Sequence, residues 1–229
     1  MEKVFFGYSV SINKKQRKPA LKDVKAVNDS TKDYMLSLSK EDIKERINEC
    51  SIDSQAQPFE NLLNSKLHDL GIVILNQAFD LKYIERVNQE LIDIQSRIDD
   101  FLKAGSQFYE DEDILFQRGS KKLKGYSELS NYSKTVVQVR EGQDEGMIDI
   151  FNIDRSSEVF RGMLESLKSS QTIKALTSQR TQVTPKNMNV YLNSGVQSTR
   201  GFHVDTYTEK LKVFVYLTDC MDLSNGPYT

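Results

Sequence analysis

The chain has 229 residues, of which 38% are hydrophobic, enough to build the core of one medium-sized domain and to exclude a disordered chain. Lys and Arg together number 31 against 33 Asp and Glu, which gives a formal net charge of -2 at pH 7. This balance argues against a nucleic-acid partner gripped through its phosphates, and no apolar run is long enough to span a bilayer.

Residues 1–57 are rich in Lys, Ser, Asp and Asn and contain few periodic apolar positions, apart from FFGYSV and a short amphipathic helix around SKEDIKERINE. We predict that they form a polar N-terminal extension and that a domain begins at residue 58. The start of the chain lacks the continuous apolar segment of a secretory signal, so we expect a cytoplasmic protein without a membrane partner.

The first part of the domain predicts a helix, a strand and a second, longer helix. PFENLLNSKLHDLG places Pro58 in the first turn of a helix and Gly71 past its end, and GIVILN then predicts a strand. Asp80 is expected to cap a long helix that ends at Gly105, with apolar residues every three or four positions along one buried stripe. The stripe consists of Leu81, Ile84, Val87, Leu91, Ile94, Ile98 and Leu102.

The middle of the chain mixes a loop with strands and a further helix. Residues 107–133 combine the acidic run EDED with the basic run KKLK and show little periodicity, so we predict a long loop. TVVQVR and MIDIFN predict strands separated by the EGQDEG turn, and SSEVFRGMLESLKS predicts a helix with one apolar side. That apolar side carries Phe160, Met163, Leu164 and Leu167.

The last part of the chain is rich in predicted strands. NMNVYLN alternates polar and apolar residues, as expected of a strand with one apolar side. The polar side carries Asn187, Asn189 and Tyr191, and the apolar side carries Met188, Val190 and Leu192. LKVFVYLT, further on, predicts a strand that is buried on at least one side.

The tripeptide His203-Val204-Asp205 carries the clearest chemical signal. On an extended strand, residues two apart project to the same side, so the imidazole and the carboxylate can bind adjacent positions of one metal ion. Two His and one carboxylate on one face of Fe(II) leave three positions open, enough for a bidentate cosubstrate and dioxygen. Alone the tripeptide is weakly specific, because it should occur by chance in roughly one chain in four of this length.

The surroundings of the tripeptide are more specific. A polar-sided strand precedes it, the apolar strand LKVFVYLTD follows it, and an NGP turn comes next. With these features, and with LHDLGIVILNQAFD before the long helix, the chain resembles the phytanoyl-CoA dioxygenase family of iron- and 2-oxoglutarate-dependent oxygenases. The resemblance extends from about residue 60 to residue 229, with its least similar part in the middle third.

The resemblance implies an α+β fold in which a double-stranded β-helix, or jelly roll, forms the core and helices pack outside. Residues 58–229 would be the N-terminal part of such a domain. His203 and Asp205 would be two ligands of the Fe(II) ion. Asp205 also favours hydroxylation, because halogenating relatives replace this carboxylate by a small residue.

Four further residues are implied as contacts of the cosubstrate 2-oxoglutarate. Asn187, Asn189 and Tyr191 lie on a strand where relatives contact 2-oxoglutarate, although a solvent-facing side of a sheet would explain them equally well. Tyr216 lies near the place where relatives put a ring against the cosubstrate. Packing alone would also explain this tyrosine.

The family continues with a distal His ligand and an Arg that binds the far carboxylate of 2-oxoglutarate. Residues 206–229 contain neither His nor Arg. His68, the other histidine, lies on the first helix of the family pattern, where we expect a surface or core position and no metal. We therefore expect the sequence to be a fragment with an incomplete jelly roll.

By this resemblance, the function is the hydroxylation of a small organic substrate, with dioxygen and 2-oxoglutarate as cosubstrates. Two alternatives stay open. The first is a catalytically inactive family remnant that acts as a binding or scaffold protein. The second is a zinc enzyme, such as a hydrolase, that uses the same His and Asp.

Overall fold

The structure is a computed structural model, and the chain divides into two compact units. The structure describes residues 3–9, 29–30, 33–34, 37–119, 132–142, 145–170, 188–196 and 210–218, and for 3–9 and 210–212 it describes the backbone alone. Unit 1 contains the described residues up to 79 together with 210–218, and unit 2 contains those from 80 to 196. The domain boundary at residue 58 stays a prediction.

Unit 1 is built around a four-stranded sheet with two helices. Its elements are β1 (Lys3–Ser9), α1 (Lys40–Cys50), β2 (Ser51–Asp53), α2 (Phe59–Leu70), β3 (Ile72–Asn76) and β9 (Lys210–Val215). The strand order is β2-β3-β1-β9, in which β2 and β3 are parallel and the other neighbours are antiparallel. The predicted amphipathic helix and the GIVILN strand are confirmed as α1 and β3.

Local capping explains where the helices of unit 1 begin and end. The Ser39 side chain accepts a hydrogen bond from the Asp42 N–H at 3.1 Å, and the Asp42 carboxylate accepts one from the Ser39 N–H at 2.8 Å. This reciprocal pair fixes the start of α1. Helix α2 ends at Gly71, whose φ of 72° is in the left-handed region and whose N–H donates to the Leu67 carbonyl. The predicted end of this helix is therefore confirmed.

Unit 2 combines a five-stranded mixed sheet with two helices. Its elements are α3 (Leu81–Lys103), β4 (Phe108–Glu110), β5 (Ile114–Gly119), β6 (Thr135–Arg140), β7 (Met147–Phe151), a 3-10 turn (Ile153–Arg155), α4 (Glu158–Ser169) and β8 (Val190–Asn193). The strand order is β4-β5-β6-β7-β8, and β5 and β6 are the parallel pair. The described part of the chain is therefore a mixed α/β protein with four helices.

Helix α3 confirms the long predicted helix and most of its buried stripe. The Asp80 carboxylate accepts a hydrogen bond from the Lys82 N–H at 2.8 Å and so caps the helix. The buried residues are Ile84, Val87, Ile94, Ile98 and Phe101. Leu81 was wrongly placed in the stripe, because it begins the helix and is 59% exposed. Phe101 was missed; its ring packs on Phe116 with a centroid distance of 5.5 Å.

The long loop predicted for residues 107–133 is wrong for its first half, where β4 and β5 form an antiparallel pair. The acidic run forms the turn between them, because the Asp111 carboxylate accepts hydrogen bonds from the N–H groups of Asp113 and Ile114 at 2.9 and 2.8 Å. An Asp whose carboxylate accepts a hydrogen bond from the backbone N–H two residues further on is typical of a turn. The prediction missed this turn because it took the run of charged residues as part of a loop. Residues 120–131 lie outside the described part.

One side of the five-stranded sheet is covered by helix α3. Phe116, Val137, Ile150 and Val190 stand side by side on β5, β6, β7 and β8, and all four are buried. The Phe116 ring contacts α3, where the Arg97 guanidinium lies 5.6 Å from its centroid. We call this the helix side of the sheet, and the other side the polar side.

Candidate functional site

A row of polar side chains crosses the five-stranded sheet on its polar side. In the strand register Gln117 lies opposite Gln138, Gln138 lies opposite Asp149, and Asp149 lies opposite Tyr191. Residues directly opposite each other on neighbouring strands project to the same side of a sheet. These four residues, one each from β5 to β8, therefore form one continuous line, which we call the polar row.

The centre of the polar row is buried and charged. Gln138 and Asp149 have no exposed surface, whereas Tyr191 at the end of the row is 47% exposed. Arg140 lies two residues after Gln138 and thus on the same side; its Nε donates to Asp149 Oδ2 at 2.6 Å, and its Nη2 contacts the same oxygen. Burying a charge costs free energy unless an opposite charge is paired with it in good geometry. Each of the two side chains therefore depends on the other to keep its buried position.

An apolar patch adjoins the polar row on the same side of the sheet. Leu115, Val136 and Phe151 form a buried cluster, and each lies two residues from a member of the row. These three side chains, like Gln138 and Asp149, are buried, so this part of the polar side is covered within the protein. Of the polar row, only Gln117 and Tyr191 keep exposed surface.

The Asn189 side chain accepts a hydrogen bond that holds the corner following β7. Asn152 adopts a left-handed conformation with φ 55° and donates its N–H to the Asn189 side-chain oxygen at 3.1 Å. The Thr135 hydroxyl donates to the Asn152 carbonyl at 2.9 Å, which fixes the same corner from β6. The side chain of Asn189 is thereby held beside the end of β8.

The structure brings together two of the six predicted site residues. Asn189 immediately precedes β8 and Tyr191 lies within it, on the polar side of the sheet in unit 2. Tyr216 directly follows β9 in unit 1 and is half-buried. Asn187, His203 and Asp205 lie outside the described residues, so their predicted roles stay predictions.

Within the described ranges, no three His, Cys, Asp or Glu side chains are close enough together to hold a metal ion. His68 lies on α2 with its side chain 83% exposed and its Nδ1 2.8 Å from the Asp69 carboxylate. The prediction that it occupies a helix surface or core position is confirmed as a surface position. This hydrogen bond is the main cause of the lowered pKa of Asp69.

Sequence reasoning missed Gln138, Arg140 and Asp149. The available signal was a single polar residue inside each of two otherwise apolar strands, TVVQVR and MIDIF. A polar side chain inside a buried strand needs a hydrogen-bond partner, and the side chains of neighbouring strands are the nearest candidates. The pairing itself depends on the register of β6 with β7, which the sequence pattern does not specify.

No family model, no curated protein and no solved structure matches the chain. Among the described helices, none has the length and apolar character required to cross a membrane.

Proposed function

We propose that the protein is an Fe(II)- and 2-oxoglutarate-dependent oxygenase that hydroxylates a small organic substrate. The observation that carries the proposal is the spacing His203-Val204-Asp205 between the polar-sided strand β8 and the apolar strand β9. An imidazole and a carboxylate two residues apart suit adjacent positions on Fe(II). The same segment carries the resemblance to the phytanoyl-CoA dioxygenase family.

One feature of the five-stranded sheet accords with the jelly-roll core that the resemblance implies. The implied jelly roll has helices packed on its outside, and in unit 2 the helix side of the sheet is packed against α3. The parallel pairing of β5 and β6 departs from the antiparallel pattern of a jelly roll.

The proposed roles follow from the chemistry of each side chain. His203 and Asp205 hold the iron through an imidazole nitrogen and a carboxylate oxygen. When bound, iron would activate dioxygen, which is the oxidant, and 2-oxoglutarate would supply two electrons as it is converted to succinate and carbon dioxide. By the family resemblance, 2-oxoglutarate would contact four other residues: Asn187, Asn189, Tyr191 and Tyr216.

Anaerobic iron binding tests the proposal, because it requires neither the substrate nor turnover. The full-length protein is titrated with Fe(II) in the presence of 2-oxoglutarate, and bound iron is measured after dialysis. We expect His203→Ala and Asp205→Ala each to weaken Fe(II) binding by at least about tenfold, since each removes one of the proposed metal ligands. His68→Ala is the matched control and leaves binding unchanged, because that histidine is exposed on α2.

Two outcomes of this titration contradict the proposal. Iron binding that is equal in His203→Ala and His68→Ala would remove the assigned ligand. A full-length protein with no affinity for Fe(II) would favour the inactive remnant that acts as a binding or scaffold protein.

A further inference from the structure

A cavity of about 320 Å³ lies beside helix α4 in unit 2 and has no part in the proposed iron site. It is lined by Asp154, Arg155, Arg161, Leu164, Glu165 and Lys168. Leu164 is buried and forms the apolar floor, whereas the other five residues are ionisable. Three cations against two carboxylates give the lining an excess of positive charge, so an anion is the favoured occupant.

Within the described part of the chain, the hydrogen bonds that hold Arg161 in the cavity go to uncharged acceptors. Its Nε donates to the Asp154 carbonyl at 3.1 Å, and its Nη2 donates to the Arg155 carbonyl at 3.1 Å. Both acceptors are neutral. A guanidinium has five N–H donors, so the Nη1 side of Arg161 keeps its donors available within the described part of the chain. The guanidinium is therefore positioned in advance for a planar, two-pronged contact with an oxyanion.

Arg155 supplies a second guanidinium with only a loose ion pair. Its Nε lies 3.8 Å from the Asp154 Oδ2, and its side chain is 39% exposed. The Asp154 carboxylate is buried and is already engaged, because its Oδ1 accepts the Met188 N–H at 3.0 Å. Arg155 is consequently able to turn toward a ligand without breaking a short ion pair.

Lys168 and Glu165, which both line the cavity, form an ion pair with each other. The Lys168 Nζ lies 2.7 Å from the Glu165 Oε1, one turn apart on α4, and the Glu165 side chain is 64% exposed. Such an exposed pair has a small net interaction energy. Lys168 is thus a third cation that can contact an anion in the cavity, and the Glu165 carboxylate competes with that anion for it.

We propose that this cavity binds a phosphate-type oxyanion, with Arg161 as the principal donor and Arg155 as the second. The proposal does not depend on the oxygenase activity, since its residues all lie on the 3-10 turn and on α4. The shared chemistry is a tetrahedral dianion, which either free phosphate or the phosphate group of a small ester supplies.

Calorimetric titration of the full-length protein with inorganic phosphate tests this site, at an ionic strength held constant with sodium chloride. The wild type is expected to bind phosphate saturably. Arg155→Gln and Arg161→Lys should each weaken binding by about tenfold, because the first removes a charged hydrogen bond and the second replaces a two-pronged guanidinium contact by a single ammonium group. Lys103→Gln is the matched control: it removes the same charge from an exposed position on α3 and leaves the affinity unchanged.

Glu165→Gln provides a test in the opposite direction. It releases Lys168 from its partner, so phosphate binding should become tighter by about threefold. A parallel titration with glycerol phosphate distinguishes the two sources, since tighter binding of the ester than of free phosphate points to a phosphorylated small molecule. Absence of saturable binding, or equal affinities in Arg155→Gln and Lys103→Gln, would overturn the proposal.

Discussion

At the scale of single residues, the most informative feature is the ion pair of Arg140 and Asp149 inside the sheet of unit 2. Both side chains are withdrawn from water, with 10% and 0% of their surface exposed. A well-packed apolar pair is often as stable as a buried ion pair, so stability alone does not explain the two charges. Asp149 belongs to the polar row, and Arg140 fixes its position there.

Removing one member of this pair should be costly. Asp149→Ala leaves the Arg140 charge buried without its carboxylate, and we expect the free energy of unfolding to fall by about 3 kcal/mol. Urea denaturation measures the change. Asp100→Ala is the control, since it removes an exposed carboxylate 3.6 Å from Lys103, and it should cost less than about 1 kcal/mol. Similar losses in the two variants would show that the buried ion pair contributes no more to the free energy of unfolding than an exposed one.

Gly146 is the glycine whose replacement the structure excludes most clearly. Its φ is 93°, and a Cβ built there would lie 2.5 Å from the Ser194 carbonyl oxygen. Gly146→Ala therefore combines backbone strain with a backbone clash, and we expect a loss of about 3 kcal/mol in the free energy of unfolding.

Gly105→Ala separates these two effects. Gly105 has a φ of 66°, but a Cβ there meets no atom within 4 Å, so only the strain remains. Its loss should be about 1 kcal/mol, also measured by urea denaturation. Equal losses at the two glycines would mean that the contact with Ser194 relaxes without cost.

At the scale of secondary-structure elements, periodicity predicted the helices well and the short strands unevenly. Helix α3 follows its apolar repeat, and α4 buries Phe160, Met163 and Leu164 as predicted. Strands β4 and β5 were missed because the buried run of β5 is only three residues, Ile114 to Phe116, and adjoins an acidic turn. A pattern this short does not distinguish a strand from a loop.

The turn between β4 and β5 makes the stability of unit 2 depend on pH. Burial would raise the pKa of Asp111, but hydrogen bonds from Ile114 and Asp113 and the charge of Arg97, 2.5 Å away, hold it below its ordinary value of 3.8. A carboxylate with a depressed folded-state pKa contributes stability above the unfolded-state value and loses it as the pH falls through the folded-state value.

Denaturation at a series of pH values tests this dependence. The wild type should lose more stability than Asp111→Asn as the pH falls below 3.8, because the variant has no carboxylate to protonate. Glu112→Gln removes an exposed neighbouring charge and should retain the wild-type dependence. A pH profile of Asp111→Asn that matches the wild type would contradict the assignment.

At the scale of the whole molecule, the contacts between distant parts of the sequence were the least predictable. Strand β1, from the segment predicted as a polar extension, pairs with β3 and β9, far away in the sequence. In unit 2 the polar row arises only from the register of four strands, so Gln138 and Asp149 meet across a sheet that no local pattern specifies. The candidate metal ligands followed from the spacing of His203 and Asp205 together with the family resemblance of the surrounding segment, and their role stays a proposal.

Conversion of 2-oxoglutarate to succinate by the full-length protein, supplied with Fe(II) and dioxygen, tests the proposal that His203 and Asp205 hold iron in an oxygenase. We expect succinate formation that requires dioxygen, is retained in His68→Ala and falls to background in His203→Ala. Undiminished succinate formation in His203→Ala would contradict it.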